Sequence, residues 1–143
     1  MGVRIELPSK QKVSPTVDVQ MEARVKIAYY HTGIAYARLG KYERALWPLT
    51  RCIEINQSDT RFLMERGKAF QVLEQFPQAI ADFNRVIQLD HKHAHAYFRR
   101  AFAFKATKRF HEAAEDFEMA KKLEPLNALM VVNYRGLKDV NFV

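Results

Sequence analysis

The sequence predicts an all-α fold, a helical solenoid made of antiparallel helix pairs. Three observations carry that expectation. The stretch from Gly33 to Leu46 reads as the end of one helix, a tight turn at Gly40-Lys41 and the start of a second helix. It recurs after 34 residues as Gly67-Lys68-Ala69-Phe70 followed by Phe76-Pro77-Gln78-Ala79-Ile80, and again as Ala101-Phe102-Ala103-Phe104 followed by Phe110-His111-Glu112-Ala113-Ala114. The frame then holds without insertion from Lys26 through Asn127. A unit of one helix–turn–helix cannot bury its apolar face alone, so a fixed period of this length implies stacking of neighbours.

Taken in order, residues 1–14 have no clear period, contain Pro8 and read as an extended or poorly ordered lead-in. Ser14-Pro15 has the form of an N-cap followed by proline at the first helical position. From there the pattern runs helically through Met21 and Val25 into Tyr29, as one long helix or as two with a break near Arg24. Three units follow, 26–59, 60–93 and 94–127. Small residues recur where the helices of a pair must approach: Gly33, Gly67 and Ala101 in the first helix, Ala45, Ala79 and Ala113 in the second. Aromatics recur at Tyr36, Phe70 and Phe104 and at the turn positions Tyr42, Phe76 and Phe110. The stripe Leu49, Phe83 and Phe117 is expected to close the core, with Cys52, Val86 and Ala120 three residues on. Large residues facing small ones let ridges fit grooves at short interaxial distance. Pro48 falls inside the second helix of unit one, where it removes a donor and should kink the helix. Ala128 to Arg135 continues as a further helix stopped by Gly136, either a cap over about 127–135 or a fourth, incomplete repeat. Residues 15–136 then form one domain, and 137–143 a tail.

This pattern resembles the tetratricopeptide repeat, whose consensus places small and aromatic residues at these offsets. The resemblance covers residues 26–127 and implies a right-handed solenoid. Departures from the consensus are Leu63 among the early aromatics Tyr29 and Tyr97, closing proline only at Pro125, and Thr32, Arg66 and Arg100 where leucine is usual.

Composition narrows function. A 48% hydrophobic content suffices for a core, and no apolar run approaches a membrane span. The N-terminus lacks the apolar core of a secretory signal, and the lone Cys52 suits a reducing compartment, so a cytoplasmic, intracellular location is expected. No phosphate-binding loop, nucleophile elbow or paired metal-ligand cysteine motif is present, so no catalytic residue, cofactor or metal is assigned. His91, His93 and His95 alternate at the joint of units two and three and could hold a transition metal given a further ligand; the alternative is a solvated loop. Cys52 occupies a packing position and reads as structural.

The net charge of +7 favours an acidic partner. Between Asp90 and Glu112 stand Lys92, Arg99, Arg100, Lys105, Lys108 and Arg109 with no acid among them. That patch permits nucleic-acid binding through unit three, with Phe98 and Phe102 as the aromatics left for stacking. The resemblance implies instead a concave groove lined by the outward faces of the first helices. Carried over, that face comprises Ile27, Tyr30, His31 and Ile34, then Arg61, Met64, Glu65 and Lys68, then His95, Phe98, Arg99 and Phe102, with Lys105 beyond. Within the opening motif, Ile34 and Arg38 look outward. Exposed apolar groups rimmed by charge mark a binding surface. Tyr30, Ile34, Met64, Phe98 and Phe102 would supply apolar contacts and Lys68, Arg99 and Lys105 would select an acidic ligand. One subclass of the family clamps the carboxylate tail of heat-shock chaperones. Of its clamp residues only Arg99 is matched, with Tyr30, Ile34, Glu65 and His95 at the others, so a chaperone tail is not the expected ligand. The expected function is a non-catalytic protein-binding adaptor or scaffold; the alternative is a structural component packed into a larger complex or filament.

Overall fold

The computed structural model describes Gly2 and residues 15–125. Six helices follow one another: α1 (Pro15–Arg38), α2 (Tyr42–Ile55), α3 (Thr60–Val72), α4 (Phe76–Leu89), α5 (Ala94–Ala106) and α6 (Phe110–Leu123). α1 runs unbroken past Arg24, which settles the choice between one helix and two. The expected lead-in at 1–14, the helix at about 127–135 and the tail at 137–143 lie outside the described residues.

Each short turn between paired helices closes in the same way. Gly40, Glu74 and Lys108 all take positive φ, at 74°, 59° and 62°. At the second turn, Glu74 N–H donates to the Gln71 carbonyl (3.1 Å) and Gln75 N–H to the Phe70 carbonyl (2.8 Å). Equivalent bonds run from Gly40 and Lys41, and from Lys108 and Arg109. These are Schellman caps, which need a left-handed residue just past the helix. Only the first is a glycine, so the other two hold a side chain in a conformation L-residues disfavour. The joints between pairs repeat as well: Asn56 and Asp90 side chains accept from Ser58 and Lys92 N–H at 3.1 Å each. Asp59 then caps α3 through Arg61 N–H (3.0 Å) and His93 Nδ1 caps α5 through Ala96 N–H (3.2 Å).

The packing follows from size matching. A Cβ added to Gly67 would lie 2.6 Å from Phe83 Cε1, and one on Gly33 would lie 2.8 Å from Leu49 Cγ. Real Cβ atoms essentially never stand that close, so glycine is what lets each first helix lie down on its partner's large side chain. Leu49, Phe83 and Phe117 are buried, as are Ala45, Ala79, Ala113, Cys52, Val86 and Ala120. Pro48 is also buried, inside an α2 that stays helical on either side of it.

A polar device crosses this core, and the sequence reading did not foresee it. Arg66 donates from Nε (2.9 Å) and Nη2 (2.7 Å) to both carboxylate oxygens of Asp82 on α4, and from Nη1 to Thr50 Oγ1 (3.3 Å) on α2. One period later, Arg100 makes the same fork to Asp116 on α6 (2.6 and 2.7 Å) and reaches Asn84 Oδ1 on α4 (2.8 Å). Each arginine therefore ties its own pair to the preceding second helix. Burial pushes the Asp116 carboxyl up while the Arg100 guanidinium pulls it back, and the hydrogen bonds to Asp116 raise Arg100 in turn. Two short charge-assisted bonds in fork geometry keep such a pair ionised. In unit one both partners are replaced together, by Thr32 and Pro48.

Asp82 is 5% exposed, so Asp82→Ala would strand a half-buried guanidinium without its carboxylate. We expect it to cost about 1.5–3 kcal/mol, whereas the double replacement Arg66→Leu/Asp82→Leu should cost less, because no charge is left unpaired. Urea unfolding of Arg66→Leu, Asp82→Leu and the double variant measures the coupling, with Asp82→Ala unfolded beside them.

Candidate functional site

Successive first helices touch one another, α1 against α3 and α3 against α5, so their inward faces form one continuous surface. Two hollows of about 380 and 210 Å³ lie along it. Tyr30, Glu65, Lys68 and Arg99 border both. Ile34 and Val72 belong to the larger hollow, with Ala37 and Ala69; Arg61, His93 and His95 belong to the smaller. A third hollow of about 290 Å³, at the N-terminal end, is bordered by Tyr30, His31, Ile27, Lys26, Arg61 and Phe62.

Charge along the groove is unevenly neutralised. Lys68 Nζ stands 2.8 Å from Glu65 Oε1. Arg61 forks onto Asp59 (3.1 and 2.8 Å) and lies over the Tyr30 ring at 6.0 Å. Arg99 has no carboxylate partner among the described residues. Its Nε is buried and makes no hydrogen bond, although Gln71 Nε2 reaches the Arg99 carbonyl at 3.5 Å. Buried donors are almost always satisfied, and the matching unpaired acceptor among the described residues is Gln71 Oε1, on the same side chain that reaches the Arg99 carbonyl.

The residues singled out from sequence separate into two groups. Tyr30, Ile34, Lys68, His95 and Arg99 border the two main hollows, and His31 borders the third. Met64 touches the smaller hollow but is only 5% exposed and packs in the core with Phe83 and Val86. The expectation fails for Phe98. It is 3% exposed, with its ring 5.6 Å from Phe117, and Phe102 is packed on the same cluster at 5.7 Å from that ring. Helical spacing showed that these phenylalanines share a side; α6 turns that side into core. Lys105, in the last turn of α5, borders none of these hollows. Missed at first were Val72 and Ala69 on the floor; Val72 follows Glu65 and Lys68 at helical spacing, a signal available from the sequence.

The basic patch of unit three also changes character. Arg100 is bound to Asp116 and Asn84, and Arg109 is paired with Glu112 three residues on. Its two candidate stacking rings are in or against the core. His93 serves as a helix cap, and no cluster of three metal-ligating side chains occurs among the described residues. Burial pushes the Cys52 thiol up, and its Sγ lies 3.5 Å from the Lys26 carbonyl.

Two outcomes follow from this sorting. Phe98→Ala should lower stability by about 3–5 kcal/mol, while Ile34→Ala and Lys68→Ala should stay within about 0.5–1 kcal/mol of the parent, as read by urea denaturation. Hydrogen bonding from Arg61 holds the Asp59 carboxyl below its usual value. A depressed folded value means the contribution is present above the ordinary carboxylate range and is lost as pH falls through the lowered value. The stability gap between the parent and Asp59→Asn should therefore narrow on acidification below the ordinary carboxylate range, measured by thermal melts at stepped pH.

Comparison with known proteins bears on this geometry. A family model described as tetratricopeptide repeat matches residues 94–125. No curated protein matches at the sequence level. Among solved structures, the TPR domain of Arabidopsis OM64 is 29% identical with a TM-score of 0.79, the match covering 82% of this chain and 98% of that one. The second TPR domain of human RPAP3, in complex with the HSP70 peptide SGPTIEEVD, is 28% identical with a TM-score of 0.77, covering 82% and 98%. The TPR2B domain of yeast Sti1, complexed with pHsp70, is 25% identical with a TM-score of 0.76, covering 81% and 98%.

Proposed function

The chain is a tetratricopeptide-repeat protein, and from that premise we propose that it is a non-catalytic adaptor or scaffold that docks a peptide or partner helix of acidic and apolar character in the groove of α1, α3 and α5. The observation that carries this reading is Arg99, an arginine that borders both hollows of the groove and has no carboxylate partner among the described residues. Around it stand Tyr30, Ile34 and Val72 for apolar contact. Several similar domains are solved with chaperone peptides, which supports peptide capture as the activity. The ligand proposed here is a different one. Tyr30, Ile34 and His95 lack the amine or amide groups of a tail clamp, and Glu65 puts a carboxylate where the tail's own would approach. We propose a cytoplasmic location, which the single, buried Cys52 suits; no helix among the described residues is long and apolar enough to cross a membrane.

A second reading has its own support. Met21, Val25 and Trp47 are exposed at 57%, 44% and 63%, on or beside the outer face of α1. Such a face suits a component stacked end-on into a larger assembly. Nucleic-acid binding loses support because Arg100 and Arg109 are paired with Asp116 and Glu112, and the two candidate stacking rings, Phe98 and Phe102, lie in or against the core.

Affinity capture from cell lysate with quantitative mass spectrometry tests the groove. Partners recovered by the parent protein should be lost with Lys68→Glu and with Arg99→Ala. They should be retained by Arg85→Glu on the exposed side of α4, all variants keeping the parent melting temperature. Recovery of the same partners by both groove variants would overturn the proposal.

A further inference from the structure

The joint between α4 and α5 is held by a group that stops accepting hydrogen bonds once it takes up a proton. His93 Nδ1 accepts from Ala96 N–H at 3.2 Å, and the His93 carbonyl shares that donor at 3.1 Å. One period earlier the same position is Asp59, whose carboxylate caps α3 through Arg61 N–H at 3.0 Å. The two caps differ in what acidification does to them. A carboxylate remains an acceptor throughout the neutral range, whereas an imidazolium carries hydrogen on both ring nitrogens and can only donate. Histidine is the side chain that ordinarily makes this change between about pH 5 and pH 8.

A protonated ring would also be badly placed. Its charge would stand against the positive end of α5. The smaller hollow, which His93 borders, holds Tyr30 from α1, Arg61, Glu65 and Lys68 from α3, and His95 and Arg99 from α5. Glu65, the one carboxylate on that lining, is paired with Lys68 at 2.8 Å, and Arg61 with Asp59. In the joint itself stand Asp90, His91 and Lys92, and the Asp90 side chain accepts from Lys92 N–H at 3.1 Å. Ala96, the residue being capped, is fully buried and belongs to the core of unit two with Leu63, Met64 and Phe83. The first turn of α5 is therefore where unit three docks on unit two. We propose that His93 makes this joint a pH-sensitive latch. Neutral, it caps α5 and holds the two units in register; protonated, it releases its share of Ala96 N–H and loosens the docking. The unfolded chain then binds this proton more readily than the fold, so the latch's contribution is present above the histidine range and is lost as pH falls through it. The latch stands on the geometry of the cap; that the same proton alters ligand capture rests on the groove reading above.

Proton–nitrogen correlation spectra of the isotope-labelled full chain, recorded at stepped pH, test the latch. The Ala96 amide should move through a step between about pH 8 and pH 5. That step should vanish in His93→Asp and His93→Asn, whose capping oxygens do not titrate in this range. Across the same range the parent's melting temperature should drop by roughly 2–8 °C relative to that of His93→Asp. His95→Ala, which removes the neighbouring histidine, should leave that drop in place. Absence of the step from the parent, its survival in both His93 variants, or a melting gap that stays constant with pH overturns the inference. Loss of the drop in His95→Ala overturns it as well. None of these results bears on the groove reading, which the capture experiment decides separately.

Discussion

Every feature of this molecule depends on how closely the two helices of a pair can lie. Gly67 facing Phe83 sets that distance, since an added Cβ would come within 2.6 Å of the ring. Gly33 does the same beside Leu49, and the third pair uses Ala101 with Phe117. Close approach fixes the register of each pair, and the caps at Gly40, Glu74 and Lys108 fix the angle at which the chain re-enters. Because both recur every 34 residues, α1, α3 and α5 fall on one side. The groove is a consequence of that repetition. Met64, Ala69 and His93 serve both the groove and the fold, while the more exposed inward positions such as Tyr30, Ile34, Lys68 and Val72 are left free to vary in chemistry.

Stacking between pairs has a second, polar source. A fully apolar interface between units would hold but would specify rotation weakly, since dispersion and burial are not directional. The forks of Arg66 and Arg100 are directional: two bonds to an aspartate on the same pair and one to a side chain on the pair before. The arginine sits where the family consensus has leucine, so an apolar contact has been exchanged for a three-helix tie. That exchange needs the aspartate at the same time, which accounts for unit one lacking both members. With Thr32 and Pro48 there, neither a buried charge nor an unmet carboxylate arises. Thr32 instead turns its hydroxyl back to the Ala28 carbonyl at 2.8 Å.

The fold was legible because its determinants are periodic and local. Glycine, alanine and aromatic residues at fixed offsets state which helix meets which, and a triple recurrence reduces the ambiguity of any one copy. The site was half legible for an equally physical reason. Spacing along α5 shows that His95, Phe98, Arg99 and Phe102 share a side of the helix. It does not show that this side spans both the groove and the contact with α6, where Phe117 takes the two phenylalanines into the core. Charge was misread in the same manner. Six cations without an acid between Asp90 and Glu112 look like a patch, but Arg100 finds Asp116 sixteen residues away. Sequence counts the charges; only the packing pairs them.

That distinction governs what the groove can do. A net charge of +7 draws acidic molecules toward the surface in general, and salt screens such attraction over roughly 10 Å at 0.1 M. Selectivity has to come from cations that are both close and unspent. Lys68 contributes less than its charge suggests, because a ligand acid must share it with Glu65 or displace it. Arg61 is similarly committed to Asp59. Arg99 differs in that it borders both hollows and has no carboxylate partner among the described residues, so a ligand acid that meets its guanidinium would not first have to break an internal ion pair. An unpaired guanidinium beside the aliphatic lining of Ile34, Ala69 and Val72 would couple the polar and apolar halves of recognition, since one ligand backbone would have to satisfy both at once.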